Sequence, residues 1–280
     1  MPILSVRNLT FHYPLASAPT LDGVTFEVER GECLAVFGSA KSTLCLCLAG
    51  AIPHLVPGRM EGEVVVDGVS TRSARLPELA TRIGMVLQDP ENTLFNLTLE
   101  ADVVFGMENL GVPRSEMAAR LETVLGLVGL QGLRTRMSQE LSGGQKQRAS
   151  VAAVLAMQPT VLILDEPTRE LDPLGTEEVF GLLAQLKGRG TTIVIVENDP
   201  DRVAPLADRM LLLREGKVAV LAPPREFYAT VRQDPKIRFP QVTDLYLALQ
   251  ERLGLPGPVP ITLEEGINSL GALYGQHARH

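Results

Sequence analysis

Hydrophobic and polar positions change period several times along the chain, and the changes mark out its elements. Near the start, Ile3-Leu-Ser-Val and Val24-Thr-Phe-Glu-Val alternate apolar with polar residues, so residues 3–30 predict two or three half-buried strands. Glu32 to Phe37 is a nearly unbroken apolar run, the pattern of a strand covered on both faces. It leads through a turn into a helix from about Ser42. Glu63-Val-Val-Val-Asp-Gly predicts a strand that ends in a tight turn. From about Pro113 to Leu133 the period lengthens to 3.6 residues, so a helical insert interrupts the strands. Buried-strand runs resume at Val161–Leu164 and Thr192–Val196, with a helix over about Thr176–Lys187 between them. Met210–Leu213 and Lys217–Leu221 flank Arg214-Glu-Gly and predict a hairpin. Strands that alternate with helices in this way predict an α/β fold on a largely parallel sheet.

Beyond about Phe227 the pattern breaks up. Pro235, Pro240, Pro256, Pro258 and Pro260 punctuate short helical stretches there. The expected organisation of the 280 residues is a main domain over 1–228, its helical insert at about 92–158, and a C-terminal extension over 229–280. A composition of 45% hydrophobic and 21% charged residues suffices for a buried core, which excludes disorder and a small disulfide scaffold. The formal charge of −7 gives no general attraction for nucleic acid or an anionic lipid surface. Three cysteines cannot close a disulfide framework; Cys45 and Cys47 fall on opposite sides of a predicted helix, and all three are expected as buried thiols in a reducing compartment. The opening Met1-Pro-Ile-Leu-Ser-Val-Arg lacks the charged-then-apolar plan of a signal peptide. The longest apolar stretch, Leu44 to Ile52, is about half of what a membrane crossing requires. The expected location is therefore cytoplasmic, with any membrane contact made through a protein.

Two features carry chemistry. Asp165 and Glu166 close the apolar strand Val161-Leu-Ile-Leu-Asp-Glu-Pro, at the carboxyl end where open α/β sheets bind ligands. Asp165 can hold Mg²⁺ through water, and Glu166 can polarise an attacking water as general base. Taken alone, the pair reads equally well as a strand ending in a charged turn. The second feature is Leu141-Ser-Gly-Gly-Gln-Lys-Gln-Arg, at a helix start. Ser142, Gly143, Gly144 and Gln145 expose backbone N–H groups at the positive end of a helix dipole, which makes an anion site out of backbone.

Placed just upstream of Asp165-Glu166, the run Leu141–Arg148 resembles the signature of the ATP-binding-cassette (ABC) ATPases, and the resemblance extends over about 220 residues. It implies a P-loop NTPase core with an N-terminal antiparallel β part, a helical insert carrying the signature, and ATP and Mg²⁺ as ligands. It also implies that two cassettes dimerise head to tail, each ATP lying between the phosphate loop of one and the signature of the other. Tyr13, in Phe11-His-Tyr-Pro, falls where the family stacks an aromatic on adenine, though by itself it reads as an ordinary strand tyrosine. Gln88, in Val86-Leu-Gln-Asp-Pro, resembles the glutamine that senses Mg²⁺ and the γ-phosphate while touching the membrane subunit. Asp172, in Glu166-Pro-Thr-Arg-Glu-Leu-Asp-Pro, resembles the aspartate that communicates between cassettes, with Arg169 and Glu170 in place of its usual small neighbours. His54 is read as a packing histidine.

The phosphate loop departs from the family. Its pattern is Gly-x-x-x-x-Gly-Lys-[Ser/Thr]. This chain reads Gly38-Ser39-Ala40-Lys41-Ser42-Thr43, so Lys41 follows Gly38 by three positions and Ala40 stands where the second glycine belongs. Three backbone donors to the β-phosphate are therefore missing. At ~1.5–3 kcal/mol per hydrogen bond to a charged group, the loss reaches roughly 5 kcal/mol or more. Lys41, the Ser42 hydroxyl (an expected Mg²⁺ ligand beside Gln88 and Asp165) and the helix dipole remain. Asn198, in Ile195-Val-Glu-Asn-Asp, stands where the family has a histidine; an amide donates to the γ-phosphate but does not titrate. The chain's own pocket is expected to be impaired, and its signature, which serves the partner's ATP, to be intact.

Pro90-Glu-Asn-Thr-Leu-Phe and Glu100-Ala-Asp-Val-Val-Phe-Gly-Met-Glu-Asn-Leu-Gly resemble the ATPase subunits of energy-coupling-factor (ECF) transporters, as do Ile52-Pro-His-Leu-Val-Pro-Gly and the proline-punctuated extension. That narrower resemblance implies an ATPase that powers import of vitamins or transition-metal ions at the cytoplasmic face of the membrane. Its partners would be an integral membrane subunit, docked near Leu94 and Phe95, and a second ATPase subunit, a heterodimer being favoured. The extension would help hold the two ATPase subunits together. One rival is a catalytically impaired structural partner that lends its signature to a competent cassette. Another is a soluble cassette acting on nucleic acid, disfavoured by the acidic balance and the lack of a coiled-coil or zinc-binding insert. Neither nucleic acid nor direct lipid insertion is expected.

Overall fold

The computed structural model describes residues 2–255 and 257–277. Its first half runs β1 (Leu4–His12), β2 (Leu21–Val28), β3 (Cys33–Gly38), α1 (Lys41–Leu48), α2 (Ala51–His54), β4 (Arg59–Val66), β5 (Val69–Ser70), α3 (Leu76–Ala80), β6 (Ile83–Val86), α4 (Leu99–Asn109) and α5 (Arg114–Leu127). The second half runs α6 (Gly143–Ala156), β7 (Val161–Asp165), α7 (Pro173–Gly188), β8 (Thr192–Val196), α8 (Pro200–Leu206), β9 (Arg209–Arg214), β10 (Lys217–Ala222), α9 (Pro224–Thr230), α10 (Gln241–Leu253) and α11 (Leu263–His277).

The strands form two sheets. The period-two segments build a four-stranded antiparallel sheet, β2-β1-β4-β5. The continuous apolar runs build a six-stranded sheet, β10-β9-β3-β8-β7-β6, parallel except for the β9–β10 hairpin. All five residues of β7 and all five of β8 are buried, because both faces of this sheet are covered. Alternate residues serve two separate cores. Leu34, Val36, Ile163, Val194 and Val196 pack with α1 and the antiparallel sheet. Ala35, Phe37, Leu162, Leu164 and Ile195 pack with α7, with α6 and with the rest of the helical insert. At roughly 1.5–3 kcal/mol for each large apolar side chain fully buried, this two-sided burial fixes strand register and hence the sheet's edge.

Cys45 and Cys47 are both buried, since α1 packs against both sheets and its more open positions fall to Lys41, Ser42 and Leu46. Burial pushes the Cys33 and Cys47 thiols up to about 12 and that of Cys45 well above the usual range. His54 packs as a structural histidine, a ring nitrogen 2.8 Å from the Thr71 carbonyl. Beyond β10, Phe227 on α9 is fully buried against Phe37, ring centroids 5.6 Å apart. Helices α10 and α11 approach closely at Gly266, where a Cβ would stand 2.0 Å from Val242 Cγ2.

β3 lies between β8 and β9, parallel to both, and β7 follows β8. The loops after β3, β7 and β8 therefore open side by side at one carboxyl edge. Chain segments far apart in sequence meet there.

Candidate functional site

The loop after β3 is turned within two residues. Gly38 has φ +96°, and a Cβ there would stand 1.9 Å from the Leu213 carbonyl oxygen, so no side chain fits. The Ser39 amide is spent on that same carbonyl at 3.0 Å. Ala40 enters α1 in the left-handed region at φ +59°, without a side-chain cap. Lys41 folds back, its Nζ 3.3 Å from the Gly38 carbonyl, 3.4 Å from Asn198 Oδ1 and 3.6 Å from Glu166 Oε1. A lysine that cradles phosphate in the family's pattern here reaches the loop's own backbone.

Asp165, closing β7, lies beside Ser42, the exposed second residue of α1. The carboxylate is buried, and its Oδ1 has no hydrogen-bond partner. Burial pushes its carboxyl above the usual carboxylate range; the Ser42 hydroxyl, hydrogen-bonded to it, pulls the other way, Glu166 adds to the rise, and Lys41 opposes it. A hydroxyl beside a buried carboxylate with an orphaned oxygen is a hard-oxygen donor set that fits Mg²⁺, which needs few protein ligands because it keeps its waters.

Glu166 is held on both oxygens. Oε1 accepts from Asn198 Nδ2 at 3.0 Å and faces Lys41; Oε2 faces Arg169 Nη1 at 3.2 Å. The same guanidinium donates to Gln88 Oε1 at 3.3 Å. Glu166 adopts φ +47°, a conformation that costs of order 1–3 kcal/mol and persists only where neighbours impose it. One of those is the Val196 carbonyl, which accepts the Glu166 amide at 2.9 Å. Glu197, buried at the end of β8, accepts from the Thr168 hydroxyl at 2.6 Å and from the Asn198 amide at 2.7 Å, so it fixes both loops. No motif points to Glu197, although a carboxylate closing an all-apolar strand repeats the pattern of Asp165. Arg169 stands out in the sequence only as a departure from a usual small residue, and its contacts carry no sequence signal.

Two clefts open here. One, of about 740 Å³, includes Glu166, Arg169, Asn198, Asp201 and Asp244 in its wall. The other, of about 1220 Å³, includes Gly38, Ser39, Lys41 and Lys236. Asn198, Ile237 and Arg238 line both, so the chain between α9 and α10 flanks the phosphate loop. No motif pointed to Arg238.

Of the other expected site residues, Tyr13 reaches α1 beside the phosphate loop, and the signature and Asp172 lie apart. The Tyr13 hydroxyl is 3.2 Å from Thr43 Oγ1, and its ring meets Phe11 edge-on at 4.8 Å. Ser142 caps α6 in a reciprocal box: the Gln145 amide donates to Ser142 Oγ at 3.3 Å, and the Ser142 amide to Gln145 Oε1 at 3.0 Å. That arrangement leaves the exposed Gly143 amide pointing out of the helix start. Gly144 has a second task, since a Cβ on it would stand 3.0 Å from the Gly175 Cα of α7. Asp172 caps that helix, its Oδ1 accepting from the Gly175 amide at 2.7 Å. The signature helix and the helix led by Asp172 thus touch through paired glycines.

Leu94 and Phe95 do not form one surface. Phe95 is 60% exposed and meets Phe105 edge-on at 4.8 Å, whereas Leu94 is buried at 8%. The expectation that both face a membrane subunit is corrected for Leu94, which the core takes.

Known proteins give the arrangement a context. The family model described as ABC transporter matches residues 21–169. A putative ABC transporter ATP-binding protein of Pyrococcus abyssi is 42% identical over 271 residues, 95% of this chain and 96% of its own length. The energy-coupling factor transporter ATP-binding protein EcfA of Methanocaldococcus jannaschii is 35% identical over 263 residues, 91% of this chain and 92% of its own. Among solved structures, cbiO1 from Clostridium perfringens, part of the ABC transporter complex cbiONQ, superposes with a TM-score of 0.74 at 32% identity, covering 90% of this chain and 96% of that one.

Proposed function

The chain belongs to the ATP-binding proteins of ABC transporters, and on that premise we propose that it is the ATPase subunit of an ECF-type importer, paired head to tail with a second, complete cassette. The likeness to EcfA and to cbiO1 over nearly the whole chain supports the ECF-type assignment, and the cargo class, vitamins or transition-metal ions, follows from the resemblance carried by Pro90–Phe95 and Glu100–Gly111. In this pair the signature, Leu141 to Gln145, serves ATP held by the partner's phosphate loop. The chain's own pocket binds nucleotide weakly.

The asymmetry between these two halves carries the proposal. At the signature, the capping box takes up the Ser142 and Gln145 amides, and the exposed Gly143 amide at the positive end of the helix is left to an anion. At the phosphate loop, Ser39 is spent on Leu213 and Lys41 on Gly38. Nucleotide entering there has to displace contacts instead of finding a cradle. Ser42 and Asp165 would hold Mg²⁺, and Gln88 would join them once Arg169 lets go. The ion, when bound, offsets charge on the β- and γ-phosphates. Glu166 orients the attacking water as general base, and Asn198 hydrogen-bonds the γ-phosphate without titrating.

Attachment to the membrane runs through protein. No helix among the described residues is long and apolar enough to cross a bilayer. Phe95 and Phe105 offer an apolar face for an integral subunit, with the cassette at the cytoplasmic side. The stricter reading, in which the chain lends its signature and never turns over ATP itself, draws on the same Lys41–Gly38 contact. Turnover tests both: the isolated chain is expected to hydrolyse little ATP, and its addition to a complete cassette to raise that cassette's rate. Robust, cooperative turnover by the isolated chain, abolished in Glu166→Gln, contradicts both.

A further inference from the structure

One buried carboxylate stands between the exposed Phe95 face and the signature. Asp102, on α4, is 3% exposed. Its Oδ1 accepts from the backbone amides of Phe95 at 2.9 Å and Asn96 at 2.8 Å, and from Asn96 Nδ2 at 3.1 Å. Its Oδ2 accepts from the hydroxyl of Ser138, itself buried. No cation pairs with Asp102 among the described residues, so these four donors are what offset its desolvation. A buried carboxylate balanced this way tolerates little displacement of any donor, because each lost bond leaves charge uncompensated.

The two ends of this arrangement matter for different reasons. Phe95 and Asn96 begin the segment that carries the exposed aromatic face. Ser138 opens a short 3₁₀ turn, Ser138–Glu140, which leads through Leu141 into the Ser142 cap of α6. The flanking backbone is also joined, Thr98 bridging Met137, the Leu99 amide bonding the Arg136 carbonyl at 3.0 Å and the Glu100 amide the Arg134 carbonyl at 3.0 Å. The Arg134 guanidinium closes the seam on both oxygens of Glu100 at 2.8 and 2.7 Å. Both segments therefore move together or break bonds that are expensive to break.

We propose that Asp102 is a positioning residue that transmits the placement of the docking segment at Phe95–Asn96 to the signature through Ser138. A membrane subunit pressing on Phe95 would shift the Asp102 carboxylate, and with it the turn that aims Ser142 at the partner's nucleotide. The inference rests on the reading that Phe95 docks the membrane subunit and that Ser142 serves the partner's ATP. Its test needs neither partner, so its failure would leave that reading standing.

The experiment uses the isolated full chain. All three native cysteines are buried, so Phe95→Cys supplies one reactive thiol, and a bulky maleimide on it mimics pressure on the docking segment. Hydrogen exchange over residues 138–146 is compared with and without the adduct, with β7 as a control for global loosening. The adduct is expected to change exchange at the signature by roughly tenfold. Adding Ser138→Ala should abolish that response, and Ser138→Thr, which keeps the hydroxyl, should restore it. Asp102→Asn provides a second break if Ser138→Ala does not fold. A purely structural role would shift exchange in labelled and unlabelled chains alike. A response that survives Ser138→Ala, or no response with Ser138 in place, overturns the proposal.

Discussion

The two glycines of the signature should separate packing from nucleotide contact. Replacing Gly by Ala in a helix gains roughly 0.5–1 kcal/mol of backbone preference where space allows. At Gly143 space does allow it, since the new Cβ would meet only Leu171 Cδ2, at an ordinary 3.4 Å. At Gly144 the Cβ would stand 3.0 Å from the Gly175 Cα, and backbone cannot swing aside as a side chain can. Wedging α6 from α7 costs ~1–3 kcal/mol by the usual scale of overpacking. The net expectation for Gly144→Ala is a loss of about 1–2 kcal/mol once the helix preference is subtracted. At ~2–4 °C per kcal/mol for chains of this order, its melting temperature falls by about 2–8 °C, while Gly143→Ala matches or slightly exceeds the parent. Far-UV circular dichroism is the suitable probe, because the chain contains no tryptophan. Turnover in the assembled pair should fall for both variants: Gly143→Ala adds a methyl beside the amides that face the partner's nucleotide, and Gly144→Ala displaces the helix. Refutation is simple. A Gly144→Ala chain that melts with the parent, or a Gly143→Ala chain that melts below it, would mean that the glycine pair does not set the helix contact.

Asp165 makes stability depend on pH in a defined direction. Its carboxyl is raised in the folded chain, mainly by burial, so the proton it retains contributes stability below the unfolded carboxylate value, near ~3.9, and this is lost as pH rises through the higher folded value. Urea midpoints should therefore show Asp165→Asn gaining on the parent between acid and neutral pH; a constant offset would contradict the assigned cause. Arg169 is 60% exposed at its side chain, so Arg169→Ala should change the unfolding free energy from urea titration by no more than ~0–1 kcal/mol. It should tighten binding of a fluorescent ATP analogue with Mg²⁺ by freeing Glu166 and Gln88, and weaker binding would show that Arg169 holds phosphate itself. No native thiol should react with a disulfide reagent at pH 8, and all three should react in urea, since Cys33 and Cys47 are pushed up to about 12. Rapid reaction of one thiol in buffer would contradict the burial of α1 and β3.

Much of the architecture was legible because it follows from period alone. The continuous runs at Val161–Leu164 and Thr192–Val196 became the doubly covered β7 and β8, and the alternation at Val24–Val28 became a strand of the antiparallel sheet. The phosphate loop was located by the strand before it and the helix after it. Its consequence, Lys41 turned onto the Gly38 carbonyl, depends on distances that no spacing rule contains. Long-range partners were the least visible. Arg169 reaches Gln88 across 81 positions, and Asp102 reaches Ser138 across 36, because β6 and β7 pair and the insert folds back on itself. Leu94 shows the limit of a motif read linearly: it adjoins the exposed Phe95, yet the insert's core claims it.

The most direct measurement compares Ser142→Arg with Lys41→Ala in the assembled pair of this chain with a complete cassette. Ser142→Arg places a bulky cation where the signature's backbone donors meet the partner's γ-phosphate. Lys41→Ala removes one charge from a pocket whose loop is already closed on itself. A residue can lose only the stabilisation it supplies, so the expected result is that Ser142→Arg abolishes most ATP turnover and Lys41→Ala costs much less. Equal damage from Lys41→Ala would mean that the short loop binds ATP productively, and would contradict the asymmetry on which the proposed function stands.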